Sequence, residues 1–205
     1  NFFLKKSNVK RWGKIPVPAD WQFHSEDFPV YSNIIYPYEI NPPYMPKDYN
    51  PIGLYHRKFK ISKDWNDKEV FIHFAGVNSA FYIWVNGVKV GYSEGSKTPA
   101  EFNITKHIKK GKNTLMLQVI RWSDGTYLED QDFWRLSGIE RDVFLYAQPK
   151  VAIRDFFVKT NLSKDLKKSD FNIDVDIRNY NNSNSKLKVR SKLYDDKSQL
   201  IKTFD

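Results

Sequence analysis

The sequence predicts an all-β protein: an antiparallel β-sandwich over residues 1–148, then the first strands of a second sandwich over residues 149–205. Three observations carry that prediction. Helical periodicity is almost absent, and apolar residues recur instead with period two between turn residues. Asn86-Gly87 stands between two β-rich runs, where both residues tolerate the positive φ of a type I′ hairpin turn. Composition shifts at Gln148-Pro149, after which the chain becomes richer in charge and poorer in rings.

The elements follow in order. Pro16, Pro18, Pro29, Pro37, Pro42, Pro43 and Pro46 crowd the first 50 residues. Proline removes ladder donors, so this segment should run extended and irregular over a sheet. Strands are then expected at 54–61, 69–74, 81–85, 88–92, 114–120 and 142–147, each alternating or β-branched and bounded by turn signals. Short strands at this spacing imply an antiparallel sandwich or jelly roll. Beyond Pro149, strands are expected at 153–159, 171–178 and 187–193, with the Asn/Ser-rich run 179–185 as a loop. The run from Phe171 to Arg178 alternates without a fault, as a strand with apolar residues inward and polar residues outward should. Three or four strands are fewer than an immunoglobulin-like sandwich needs, so residues 149–205 read as the first, truncated part of one.

Composition narrows the function. With 40% apolar and 16% aromatic residues the chain can bury a core, which excludes a disordered protein. Six Trp and twelve Tyr invite a carbohydrate-facing surface, although most such rings serve as core anchors. The absence of cysteine excludes a disulfide framework, thiol catalysis and thiolate metal sites, and fits a reducing compartment, so a cytoplasmic location is expected. A net charge of +9 suggests nucleic acid, but thirteen Lys/Arg against eight Asp/Glu place +5 of it after Gln148. The bases alternate with acids and form no phosphate-binding stripe, so no nucleic-acid partner is expected. No apolar run is long enough to span a bilayer, and no signal-peptide pattern opens the chain. A start at Asn1 rather than Met reads as a fragment or a processed chain.

The chemistry concentrates between Arg121 and Gly138. That stretch holds Asp124, Glu129, Asp130 and Asp132 with Trp122, Trp134, Arg121 and Arg135. Rings beside fixed carboxylates suit a sugar, whose faces are weakly apolar C–H surfaces and whose edges are hydroxyls. A carboxylate can also hold a hard cation. Two carboxyls flanking a scissile bond could form a glycosidase pair, and spacing alone permits one here. His24, His56, His73 and His107 lack metal-binding spacing, and phosphate-binding glycine loops are absent.

The same stretch resembles, nearly residue for residue, a signature of the lacZ-type β-galactosidases of glycoside hydrolase family 2. The resemblance covers about residues 15–160 through ordered motifs, among them Val17-Pro-Ala-Asp-Trp-Gln22, Pro29-Val-Tyr-Ser-Asn-Ile-Ile-Tyr-Pro37, Asn41-Pro-Pro43, Asn50-Pro-Ile-Gly-Leu-Tyr55, Gly76-Val-Asn-Ser-Ala-Phe81 and Ser96-Lys-Thr-Pro-Ala-Glu-Phe102. It implies a sugar-binding (galactose-binding-like) jelly roll at 1–148 and the start of an immunoglobulin-like domain at 149–205. It also implies a catalytic barrel, supplying both catalytic glutamates, that this chain lacks. No catalytic residue is therefore expected here, and the chain by itself should be inactive.

By the same resemblance, Asn33 binds the galactoside, and Asp132 binds both substrate and Na+. The alternatives are that Asn33 caps a turn before Pro37 and that Asp132 pairs with Arg135 or Arg141. Glu129 and Asp130 should support the loop through Arg121 or Arg135. Mg2+ is implied for the parent enzyme, with ligands outside this chain, and the parent is expected to be a homo-oligomer acting on β-galactosides.

Phe133 and Leu136 replace methionines common in the family, and the strand expected before Val17 is missing. The rival readings are a β-glucuronidase or β-mannosidase relative, a carbohydrate-binding module, or an assembly domain. Tyr31-Ser-Asn33 with Leu128-Glu-Asp-Gln-Asp132 resembles the galactosidase branch. The proline-rich wrap and a buried-looking aspartate loop fit a pocket wall better than a flat platform.

Overall fold

A computed structural model of the chain describes residues 12–33, 35–129, 131–184 and 186–204. It divides into two compact units, Asn1–Gln148 and Pro149–Asp205. Of the described residues 48% are strand and 7% helical, as the period-two pattern requires.

The first unit is built on two sheets. One takes β3 (Ile52–Lys60), β9 (Lys112–Ile120), β6 (Ala80–Val85) and β7 (Val88–Glu94), side by side in that order. The other orders β12 (Val143–Gln148), β4 (Glu69–Phe74) and β8 (Ala100–Asn103). All pairings are antiparallel. In β9, Leu115, Leu117 and Val119 are buried while their neighbours are half-exposed, so one face of the strand enters the core. Those side chains meet Phe81, Ile83 and Val85 of β6 and Val70, Ile72 and Phe74 of β4 in a single cluster between the sheets. Such burial is the main driving force for this unit.

Local chemistry fixes the hairpin between β6 and β7. Asn86 and Gly87 have φ of 52° and 85°, the positive values the sequence demanded. The Asn86 side chain also donates to the His107 carbonyl and to Asn113 Oδ1, both at 2.8 Å, tying the turn to the loop before β9.

Several short strands escaped the periodicity argument because two or three residues carry no period. They are β1 (Ala19–Asp20), β2 (Val30–Ser32), β5 (Val77–Asn78), β10 (Phe133–Arg135) and β11 (Gly138–Ile139). β11 lies between β1 and β5, and β10 pairs with β2. Gly138 makes the first of these junctions possible. Its φ is +152°, and a Cβ there would sit 2.5 Å from the Ala19 carbonyl oxygen. Outside these strands the Pro/Tyr-rich segment 12–50 is irregular apart from a 3-10 turn at Trp21–Phe23, as proline content predicts.

The second unit departs from expectation. β13 (Val151–Leu162) pairs with β14 (Ser169–Asn179), and β15 (Ser191–Tyr194) with β16 (Leu200–Phe204). The strand expected at 187–193 begins only at Ser191, opposite Phe204 at the end of β16, and β16 was not expected. The alternation of β14 is present, but its apolar face is open: Phe171 is 45% exposed and Ile173 38%. No described residue of this unit is buried: within the unit its described strands form two separate two-stranded hairpins, too few to enclose a core.

Candidate functional site

The two residues singled out by resemblance lie at one end of a small ribbon. β2 and β10 pair antiparallel, with Val30 opposite Arg135, Tyr31 opposite Trp134 and Ser32 opposite Phe133. Asn33 follows Ser32 and Asp132 precedes Phe133, so both leave the same end of the ribbon. Tyr31 Oη donates to Asp132 Oδ1 at 2.5 Å, which places the carboxylate on the face that carries Tyr31 and Trp134. The same bond raises the Tyr31 phenol above its ordinary pKa, since the carboxylate favours the protonated ring.

Asn33 and Asp132 are both exposed. Among the described residues the aspartate loop is therefore open rather than buried at Gln131 and Asp132. Asp132 pairs with Tyr31, while Arg135 packs over the Phe133 ring and Arg141 donates to the Lys97 carbonyl. Ser32 Oγ, not Asn33, closes the turn before Pro37 by donating to the Ile35 carbonyl. Asn33 makes no side-chain hydrogen bond among the described residues, which leaves its amide available.

Behind the ribbon is a buried ionic frame that sequence reasoning missed. Arg121 is fully buried and donates to Asp27 Oδ1 at 2.6 Å, to Tyr49 Oη at 3.2 Å, and to the carbonyls of Phe28 and Arg135 at 3.1 Å each. Trp21 Nε1 and Gln22 Nε2 donate to Asp27 Oδ2, and Tyr49 Oη donates to Oδ1. Burial alone would raise the Asp27 carboxyl. Hydrogen bonds from Trp21 and Tyr49 and the charge of Arg121 outweigh it, holding the group below its ordinary value. Arg121 thus holds the segment entering β2 against the end of β10. No spacing rule could have found Asp27, which lies 94 residues from its partner in an ordinary polar run.

The remaining carboxylates of the loop divide sharply. Glu129 accepts from the Ser96 backbone N–H at 2.8 Å and from Ser96 Oγ at 2.5 Å, so it supports the loop through serine rather than through an arginine. Asp124 is exposed at the start of the helical turn α1 (Gly125–Leu128), and Asp130 lies outside the described residues. Glu94 accepts from the Gly125 N–H at 2.7 Å and fastens α1 to β7. Asn50, quoted above within its motif, donates to the Trp122 carbonyl at 2.8 Å and accepts from the Trp122 N–H at 3.0 Å, matching that backbone as a strand would. Among the described residues no group of three or more His, Cys, Asp or Glu is placed to hold a metal. No helix among them is long and apolar enough to cross a membrane.

A β-sandwich carrying an exposed carboxylate, amide and ring pair on a two-stranded ribbon has the make-up of a sugar-binding domain. Residues 4–149 match the sugar binding domain of glycosyl hydrolases family 2, and residues 151–205 match a second domain of the same family. The chain belongs to glycosyl hydrolase family 2. Among curated relatives, a beta-galactosidase of Priestia megaterium is 46% identical over 206 residues, covering 98% of this chain and 20% of its own length. A beta-galactosidase of Vibrio cholerae is 52% identical over 151 residues, covering 74% of this chain and 15% of its own. The chain therefore spans about a fifth or less of the length of these relatives. Among solved structures, a beta-glucuronidase from an uncultured Clostridium superposes with a TM-score of 0.63 at 26% identity, over 74% of this chain and 27% of that one. A Bacteroides uniformis beta-glucuronidase gives 0.67 at 23% identity, over 76% and 19%, and is a likeness of fold alone.

Proposed function

We propose that this chain is the amino-terminal part of a β-galactosidase, supplying one wall of the galactose pocket of an enzyme that removes terminal non-reducing β-D-galactose with retention. The supporting observation is the ribbon end, where Asn33 and Asp132, 99 positions apart in sequence, emerge together and exposed. The named relatives at 46–52% identity favour galactose over the glucuronide read by the solved neighbours. Residues 1–148 act as the sugar-binding jelly roll, and residues 149–205 begin the immunoglobulin-like domain. The catalytic glutamates and the Mg2+ ligands lie in other parts of the longer protein, so this chain alone does not turn over substrate. The whole enzyme is a cytoplasmic homo-oligomer.

In this reading Asp132 accepts a galactosyl hydroxyl and serves as one oxygen ligand of Na+. What supports that role is an exposed carboxylate with Tyr31 on one oxygen, which could give one oxygen ligand, the remaining ligands coming from other parts of the longer protein. Bound Na+ would supply a fixed positive charge beside the sugar hydroxyl. Asn33, with both donors and an acceptor, orients a second hydroxyl. The test is Asp132→Asn in the full-length enzyme. Charge-assisted contacts are worth about 1.5–3 kcal/mol, so kcat/KM should fall at least about tenfold. The response to Na+ should weaken as well. Unchanged efficiency and an unchanged Na+ response would refute the assignment.

A further inference from the structure

We propose that the buried Arg121–Asp27 pair positions the sugar-contacting end of the ribbon, so that its loss lowers catalytic efficiency beyond any loss of stability. This rests on the galactoside reading above and assigns two positioning residues that touch no substrate themselves. Arg121 follows directly on β9, which lies between β3 and β6, and its backbone N–H donates to the Pro51 carbonyl at 3.0 Å. Its side chain therefore starts from an interior strand of the sandwich and ends on the ribbon. One nitrogen, Nη2, donates to the carbonyls of both Phe28 and Arg135, at 3.1 Å each. Phe28 leads into β2, and Arg135 closes β10 opposite Val30, so a single NH2 group joins the two strands at one end. Nη1 donates to Asp27 Oδ1 and Tyr49 Oη, which fixes the plane of the fork.

Asp27 extends the hold to the chain beyond β10. Its second oxygen accepts from Gln22 Nε2 at 3.1 Å, and Oε1 of the same amide accepts from the Ser137 N–H at 3.0 Å. Arg135, 3% exposed, reaches back to the Ser32 carbonyl at 3.5 Å, one residue before Asn33. The ribbon itself has only three residue pairs, too few for a two-stranded element to hold its place in water. Asn33 and Asp132 leave its far end, about 10 Å from the staple at roughly 3.3 Å per residue. A tilt of about 6° at the staple moves both groups by about 1 Å, and misplacement on that scale can cost about a hundredfold in rate. A buried ion pair adds little stability over apolar residues of the same volume, whereas its directional bonds fix geometry.

The test uses the full-length enzyme carrying Arg121→Lys, Asp27→Asn or Asp27→Asn/Arg121→Met. It is read by Tm, by kcat and KM on a chromogenic β-galactoside, and by the inhibition constant of free galactose. Lysine keeps the charge beside Asp27 but cannot serve two carbonyls and a carboxylate from one planar fork. Arg121→Lys should lower kcat/KM about tenfold or more and weaken inhibition by galactose. The double variant should regain part of the Tm lost in Asp27→Asn while its kcat/KM stays down, because an apolar side chain fills the interior without stapling the ribbon. In an Asp132→Asn background Arg121→Lys should cost markedly less than in wild type, since the group it aims is already altered. If kcat/KM recovers along with Tm in the double variant, or if Arg121→Lys leaves kcat/KM unchanged, the pair is structural only and the proposal is overturned. Should Arg121→Lys fail to fold, the double variant decides alone. Unchanged efficiency in Asp132→Asn by itself would instead overturn the galactoside reading, and the proposal with it.

Discussion

Replacing Asp27 by Asn isolates the frame behind the ribbon. Arg121 is 0% exposed and Asp27 12%, and the carboxylate gathers donors from Trp21, Gln22, Tyr49 and Arg121. The amide keeps one acceptor oxygen, loses the charge that offsets a desolvated guanidinium, and turns an NH2 group toward other donors. Removing one partner of a buried pair costs about 3–5 kcal/mol. At about 2–4 °C per kcal/mol for a domain of this size, Tm should fall by roughly 6–20 °C, followed by circular dichroism or calorimetry. The double variant Asp27→Asn/Arg121→Met should recover part of the loss, because the uncompensated charge leaves with the arginine. The sign with pH is also fixed. A depressed carboxyl contributes stability above its ordinary value of 3.8, and that contribution is lost as pH falls through the lower folded value. The gap between wild type and Asp27→Asn should therefore be flat above that range and close below it. A Tm loss under about 2 °C at neutral pH, against the 3–5 kcal/mol expected, would refute the reasoning.

Gly138→Ala should destabilise by at least about 1–3 kcal/mol in chemical denaturation, since the new methyl would press on the Ala19 carbonyl at a φ of +152°. Asn50→Ala should cost about 1–3 kcal/mol by the same measurement, as two hydrogen bonds to the Trp122 backbone are lost together. Purified chain should not release chromophore from a chromogenic β-galactoside above background. Activity that copurified with the chain and vanished in Asp132→Ala would contradict the placement of the catalytic glutamates elsewhere.

Long strands were legible because burial on one face writes a period-two pattern over six or more residues, as in β9 and β6. The hairpin turn was legible because only Asn and Gly accept its φ values cheaply. Strands of two or three residues were not, although the ribbon built from two of them carries the candidate site. Asp132 and Asn33 were proposed by likeness, and their departure from the same end of the ribbon depends on a register no local rule supplies. Asp27 was invisible for a physical reason: its importance comes from partners that only the fold gathers, a buried arginine 94 residues on and Tyr49, beside Trp21 and Gln22. The second unit misled in the opposite way, for its alternation describes a face meant for burial that nothing within the unit covers.

Tyr31 and Asp132 meet across 101 residues, and every strand from β3 to β9 lies between them. Closing a loop of that length is entropically expensive until the intervening sandwich holds its ends together. The corner that joins Tyr31 to Asp132 is therefore expected to form late in folding, once both sheets are in place. Binding at that corner would serve as a readout of fold integrity: a destabilised variant should lose its sugar response at a denaturant concentration no higher than the one at which its sheets dissolve.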